Sequence, residues 1–192
     1  MTLWIDLTMR VSAEMTANAM ANEKLASFGH LGTHFDVMNL EFPLDFARRS
    51  ALIVAVEDAA KSGMDIELDS KRLALVQKGD FVIFRTGVSQ RVPYGTPGYF
   101  TEHPQLSVSL IEALIRRKVA MIGIDAAGIR RGAAHTPMDQ YCAERGIFVV
   151  ENLANLEAVL KEQSCARCDV YTFPVKFEGL SGLPCRVMAE VT

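Results

Sequence analysis

Short apolar runs punctuate this chain at residues 3–7, 52–56, 81–85, 119–124, 147–150, 170–175 and 185–191. Runs of this length, rich in Val, Ile and Phe and closed by Gly, Asp or Pro, read as buried strands. Between them the period becomes helical. Leu106, Leu110, Ile111, Leu114 and Ile115 share one face, Ser107 stands where a cap belongs, and Arg116, Arg117 and Lys118 complement the C-terminal dipole. Thr136-Pro137 marks a second start, with Thr as cap and Pro in the first turn. A third helix is expected from Asn152 or Leu153 to Glu162, and a shorter one over residues 69–76. Strands interleaved with few helices predict a mixed α/β fold. With no repeat, low-complexity tract or convincing linker, residues 1–192 read as a single domain.

Charge and motif content narrow the function classes. The net charge is −3, and the densest basic spots are Arg48-Arg49, Arg116-Arg117-Lys118 and Arg130-Arg131. Each is short and flanked by apolar or acidic residues, so they read as solvated surface and a nucleic-acid partner is not expected. No strand is followed by a glycine-rich phosphate loop, and Gly29-His30-Leu31-Gly32 has the wrong spacing for one. No apolar run approaches the roughly 20 residues that span a bilayer, so no membrane partner is expected. Asp6 stands where a signal peptide would carry positive charge, and a cytoplasmic location is expected. Cys142, Cys165, Cys168 and Cys185 are too few and irregular for a disulfide framework. Cys165-Ala-Arg-Cys168 reads as incidental thiols, the functional alternative being a redox-sensitive clip.

The stretch that carries chemistry is Gly29-His30-Leu31-Gly32-Thr33-His34-Phe35-Asp36. His30, His34 and Asp36 occupy even positions, so an extended backbone points them to one side. A straight strand would hold the two histidines roughly 13 Å apart, too far to share an ion. Gly32 lies between them and tolerates the bend that closes this gap. Two histidines four apart are by themselves commonly incidental; with Asp36 at the next same-face position, a ligand set and an incidental grouping stand level as readings. Two imidazoles and a carboxylate suit a divalent ion, zinc first and manganese or iron next, and leave positions open for water.

His30-x-Gly32-Thr33-His34-x-Asp36 resembles the first part of the HxGTHxDxPxH signature of the cyclase-like metal hydrolases, which include bacterial arylformamidase (kynurenine formamidase) and isatin hydrolase. Further segments are similar in the same order: Ile5-Asp6-Leu7-Thr8, Phe84-Arg85-Thr86-Gly87, His103 to Ser107 with Gly123-Ile124-Asp125, Gly146 to Leu153, and Gly179 to Arg186. The resemblance implies a mixed, barrel-like β-sheet flanked by helices. It also implies a homo-oligomer (dimer or tetramer) and hydrolysis of an amide, formamide or lactam in a small molecule by metal-activated water. It makes metal ligands of His30, His34 and Asp36 and adds Glu151, which otherwise serves the N-terminus of the following helix.

Two departures bear on activity. After Asp36 the family has Pro and then His, its general acid/base; here Met38 and Leu40 stand instead. Leu40 transfers no proton, and losing such a group typically costs about 10²–10⁴ in rate. Twelve residues before Glu151, where the family has a ligand histidine, stands Asp139, with His135 one helical turn earlier. His135 and Asp139 are the candidates to shuttle protons in place of the missing histidine; Asp139 also reads as part of a capping box begun by Thr136. The alternative function is a non-hydrolytic, metal- or small-molecule-binding member of the family. Outside this set, His103 before Pro104 reads as a surface turn or a pocket wall with Tyr94, Tyr99 and Phe100. Arg85 reads as structural, and Phe28 and Phe35 as pocket or core.

Overall fold

In the computed structural model, which describes residues 2–15, 28–61 and 63–191, the apolar runs become strands that close on themselves. The strands are β1 (Leu3–Asp6), β2 (His34–Asp36), β3 (Arg48–Ala55), β4 (Phe81–Arg85), β5 (Met121–Ile124), β6 (Phe148–Glu151), β7 (Cys165–Pro174) and β8 (Gly182–Val191). Their order is β1-β8-β2-β6-β5-β4-β3-β7, and β7 pairs back onto β8 to complete a barrel. β3, β4, β5 and β6 run parallel, and the remaining junctions are antiparallel. The long β8 pairs with β2 through Gly182, Leu183 and Pro184 and with β1 from Met188 to Val191, so β1 extends the sheet beside the ring.

Alternation along each strand sorts side chains to two sides. Phe35, Ala51, Ile53, Phe81, Ile83, Met121, Val150, Val170, Cys185 and Val187 fill the barrel. Leu52, Val54, Val82, Phe84, Ile122, Ile124 and Val149 face outward and are covered by helices and loops. Fully burying one such side chain is worth about 1.5–3 kcal/mol, enough in aggregate for a domain to carry some buried charge.

Helices among the described residues include α1 (Glu57–Lys61), α2 (Ser70–Ala74), α3 (Pro97–Thr101), α4 (Val108–Arg116), α5 (His135–Ala143) and α6 (Leu156–Leu160). Among the described residues none is long and apolar enough to cross a membrane. α4 is capped by the Ser107 hydroxyl, which accepts from Leu110 N–H at 2.9 Å, and it buries Leu110, Ile111 and Leu114. α2 falls within the short helix expected over residues 69–76, with Asp69 as its cap, whereas the starts of α5 and α6 differ from the sequence expectation. α5 begins at His135 out of the 3-10 turn Gly132–Ala134, and Ala134 is already in helical conformation. No extended residue precedes it to fold a side chain back, so neither Thr136 nor Asp139 forms a cap. α6 begins only at Leu156, because Asn152 and Asn155 both have φ 55, which no α-helix accommodates.

Cys165 and Cys168 lie three apart on β7, where successive side chains alternate, and pack against opposite sides of the sheet. All four cysteines are free, in keeping with incidental thiols; the extended spacing of about 10 Å exceeds what a disulfide spans.

Candidate metal centre

One bend gathers the ligand-type residues of the N-terminal segment. Gly32 has φ 64 and Gly29 φ 80, and a Cβ on Gly29 would collide with the Gly182 carbonyl. The His30 and His34 rings are thereby brought to a centroid separation of 4.7 Å. The chain then forms β2, with His34 and Asp36 on the outward face. Across the sheet His34 pairs in register with Glu151, which therefore shares that face. His135 and Asp139 stand one turn apart on α5, which packs against β6.

The six side chains form two triads, His30-His34-Asp36 and His135-Asp139-Glu151, each with its ligand atoms within 4.8 Å of one another. Asp36 Oδ1 lies 3.4 Å from both His30 Nδ1 and His34 Nε2. His135 Nε2 lies 3.2 Å from Asp139 Oδ2 and 3.1 Å from Glu151 Oε1. Glu151 links the triads, its Oε2 being 3.4 Å from His34 Nε2. Ligand atoms bound about 2.0–2.2 Å from one tetrahedral ion sit about 3.3–3.6 Å apart, and an octahedral one brings them nearer 3.0 Å.

Protonation and hydrogen bonding suit the same role. The Gly32 carbonyl accepts from His34 Nδ1 at 2.8 Å, so Nδ1 carries a proton and Nε2 is the nitrogen turned toward Asp36 and Glu151. His30 Nε2 pairs with the Ser181 hydroxyl at 2.9 Å, leaving Nδ1 toward Asp36. His34 Nε2, both oxygens of Asp36, Asp139 Oδ1 and Glu151 Oε1 are buried without a hydrogen-bond partner. Buried carboxylates demand pairing or a cation. The donor set, three imidazoles and three carboxylates, fits a divalent ion such as zinc or manganese.

The electrostatics are those of crowded anions. Burial and the Asp36 and Glu151 charges push the Asp139 carboxyl well above the usual range. Burial alone would raise Glu151, but the His135 and His34 imidazoles outweigh it and hold the carboxyl well below. Burial works against the His34 imidazolium, yet Asp36 and Glu151 raise its pKa well above the ordinary value. His135 follows the same balance, with Glu151, Asp139 and Asp36 holding it at about 9.

An outer network holds the ligand loop. Asn152 donates Nδ2–H to the Gly32 carbonyl at 2.9 Å, and its Oδ1 accepts from the Tyr99 hydroxyl at 2.8 Å. Thr33 donates to the Asn152 carbonyl at 2.6 Å, and the Tyr94 hydroxyl accepts from Gly32 N–H at 2.8 Å. The Gly32 carbonyl thus serves both His34 and Asn152. Sequence reasoning missed Asn152; its polar side chain next to Glu151 at the end of an apolar run was the available signal.

Other candidates fall as follows. Glu151 closes β6 and serves no helix N-terminus. His103 is wholly buried, against the surface-turn reading. Arg85 is structural, paired with Glu57 and Gln90. Phe35 belongs to the barrel interior, whereas Phe28 and Leu40 are exposed.

The Cyclase family model matches residues 5–130, which include the first triad and end before His135. No curated protein matches the chain. Among solved structures, isatin hydrolase A from Labrenzia aggregata, bound to benzyl benzoate, superposes with a TM-score of 0.74 at 19% identity, covering 100% of this chain and 94% of that one. Isatin hydrolase A from Ralstonia solanacearum gives 0.74 at 19%, covering 100% and 92%. A predicted metal-dependent hydrolase from Bacillus stearothermophilus gives 0.72 at 20%, covering 99% and 98%. At these identities the likeness is one of fold.

Proposed function

The chain belongs to the Cyclase family, and from that premise we propose that it is a metal-dependent hydrolase of amide, formamide or lactam C–N bonds in a small molecule. The observation that carries the reading is the pair of triads joined through Glu151, with five buried ligand atoms lacking hydrogen-bond partners. His30, His34 and Asp36 hold one ion, and His135, Asp139 and Glu151 complete the centre as ligands rather than as the proton shuttle expected of His135 and Asp139. A divalent ion here would polarise a carbonyl and lower the pKa of water toward neutrality. The chain's own residues do the rest. Gly32 and Asn152 fix the ring of His34, Ser181 fixes that of His30, and the buried carboxylates supply the negative charge.

The isatin hydrolases of the same fold make a lactam the first substrate to try, followed by an aryl formamide. The exposed aromatic residues Trp4, Phe173 and Phe177 support the further reading of a homo-oligomer, which sedimentation of the purified protein tests.

The test is elemental analysis of untagged protein, wild type beside His34→Ala, followed by assay on isatin and an aryl formamide. The expected result is zinc or manganese bound in the wild type, lost in the variant, with hydrolysis following the metal. Absence of metal after incubation with both ions would end the hydrolase reading. Metal without turnover would favour a non-hydrolytic binding protein, which the leucine at position 40 motivates.

A further inference from the structure

Outside the two triads, the buried ionisable side chain most in need of an explanation is His103. It follows α3, has no exposed surface, and shares a 2.9 Å hydrogen bond between Nδ1 and the Pro104 carbonyl. A carbonyl only accepts, so the proton is on Nδ1 and the lone pair on Nε2. Nε2 has no hydrogen-bond partner among the described residues. Leaving such an atom unpaired is costly, and a fold that retains one calls for a reason.

The surroundings supply the reason. Four residues earlier, Tyr99 bonds Asn152, the neighbour of Glu151. Three residues later, Leu106 N–H donates to the Ile129 carbonyl at 2.9 Å, which sets the segment beside Gly128. A Cβ on Gly128 would meet the His135 ring at 2.9 Å. His103 forms no hydrogen bond or ion pair with the six ligand-type residues. The charges that reach it are Glu151 from β6, His135 from α5 and Arg131 from the turn before α5. Burial and the two cations outweigh Glu151 and the Pro104 bond, holding its pKa below the ordinary histidine value.

Resting on the hydrolase reading, we propose that His103 is the proton-transfer group of this centre, supplying what Leu40 lacks. In that step water oxygen forms a C–O bond to the substrate carbonyl carbon. Nε2 of His103 takes one proton from that water and passes it to the nitrogen as the C–N bond breaks. One water is consumed, a carboxylic acid and an amine are formed, and His103 ends as it began.

The test compares His103→Gln with wild type, both loaded with zinc, on isatin. The expected result is unchanged metal content and KM, a kcat lower by about 10²–10⁴-fold, and loss of one limb of the pH–rate profile. Turnover within about threefold of wild type overturns the proposal. A variant that no longer holds zinc also overturns it, making His103 a ligand. Nitrogen NMR of wild-type His103 across pH, with and without zinc, reads the same question without turnover. Zinc is expected to lower the pH at which Nε2 protonates and to leave the Nδ1–H tautomer in place. A titration that zinc does not move removes the assignment to His103 even in an active enzyme. Wild type inactive on isatin and on an aryl formamide removes the hydrolase reading, and the proton-transfer step with it.

Discussion

His34 and Glu151 face each other in register across β2 and β6, with His34 Nε2 3.4 Å from Glu151 Oε2. That one cross-strand pair joins the loop triad to the helix triad, because the other oxygen of Glu151 reaches His135. Glu151→Gln keeps the shape and removes the charge both triads share. Its affinity for zinc should fall by more than the about 10–100-fold that losing an outer partner costs. Circular dichroism should stay that of wild type. Competition titration against a chelator measures the loss, and unchanged affinity would place the ion elsewhere.

Asn152 is linked to His34 through the Gly32 carbonyl. Asn152→Ala removes the bonds to the Gly32 carbonyl and Tyr99 hydroxyl and puts alanine at φ 55, a conformation asparagine tolerates better. A loss of about 1–3 kcal/mol in stability is expected, together with a drop of about tenfold or more in zinc affinity. Urea unfolding and chelator competition on the same sample decide it. Loss of stability alone would make Asn152 a fold residue only.

Asp139 stands buried beside two other carboxylates. Its folded pKa is raised above 3.8, so the stability it contributes is present below that value and lost as pH rises through the folded pKa. In the metal-free protein Asp139→Asn should raise the Tm at neutral pH and flatten its fall with rising pH, while weakening zinc binding. Thermal melts of both metal-free proteins across pH test this. A variant less stable than wild type would show that Asp139 is paired without the ion.

The barrel strands and the first triad were legible because each depends on local pattern. Apolar runs end at Gly, Asp or Pro, and His30, His34 and Asp36 fall on one side of a segment bent at Gly32. The second triad was less so. Asp139 looks like a capping residue in sequence, and only the turn at Gly132–Ala134, which delivers Ala134 already helical, frees its side chain for the interior. His103 was read toward the surface because Pro104 signals a turn. That turn follows α3, whose Tyr99 packs against Tyr94 and Phe100 and donates to Asn152, 53 residues away in sequence. Closure of β7 onto β8 is likewise a tertiary event that no strand's own sequence announces.

Metal affinity and fold stability should respond to pH in opposite senses. In the metal-free protein the pKa of His135 is raised from 6.5 to about 9, so its stabilising contribution is full below 6.5 and is lost as pH rises through about 9. A cation must displace that proton to use Nε2, so apparent zinc affinity climbs across the same window, by up to about tenfold per pH unit for each proton released. The Tm difference between zinc-loaded and metal-free protein should therefore widen from about pH 6.5 to about 9. His135→Asn should narrow that widening, since one of the displaced protons is gone. Melting curves at fixed free zinc measure both, and a difference that stays constant with pH would mean that His135 gives up no proton to the ion.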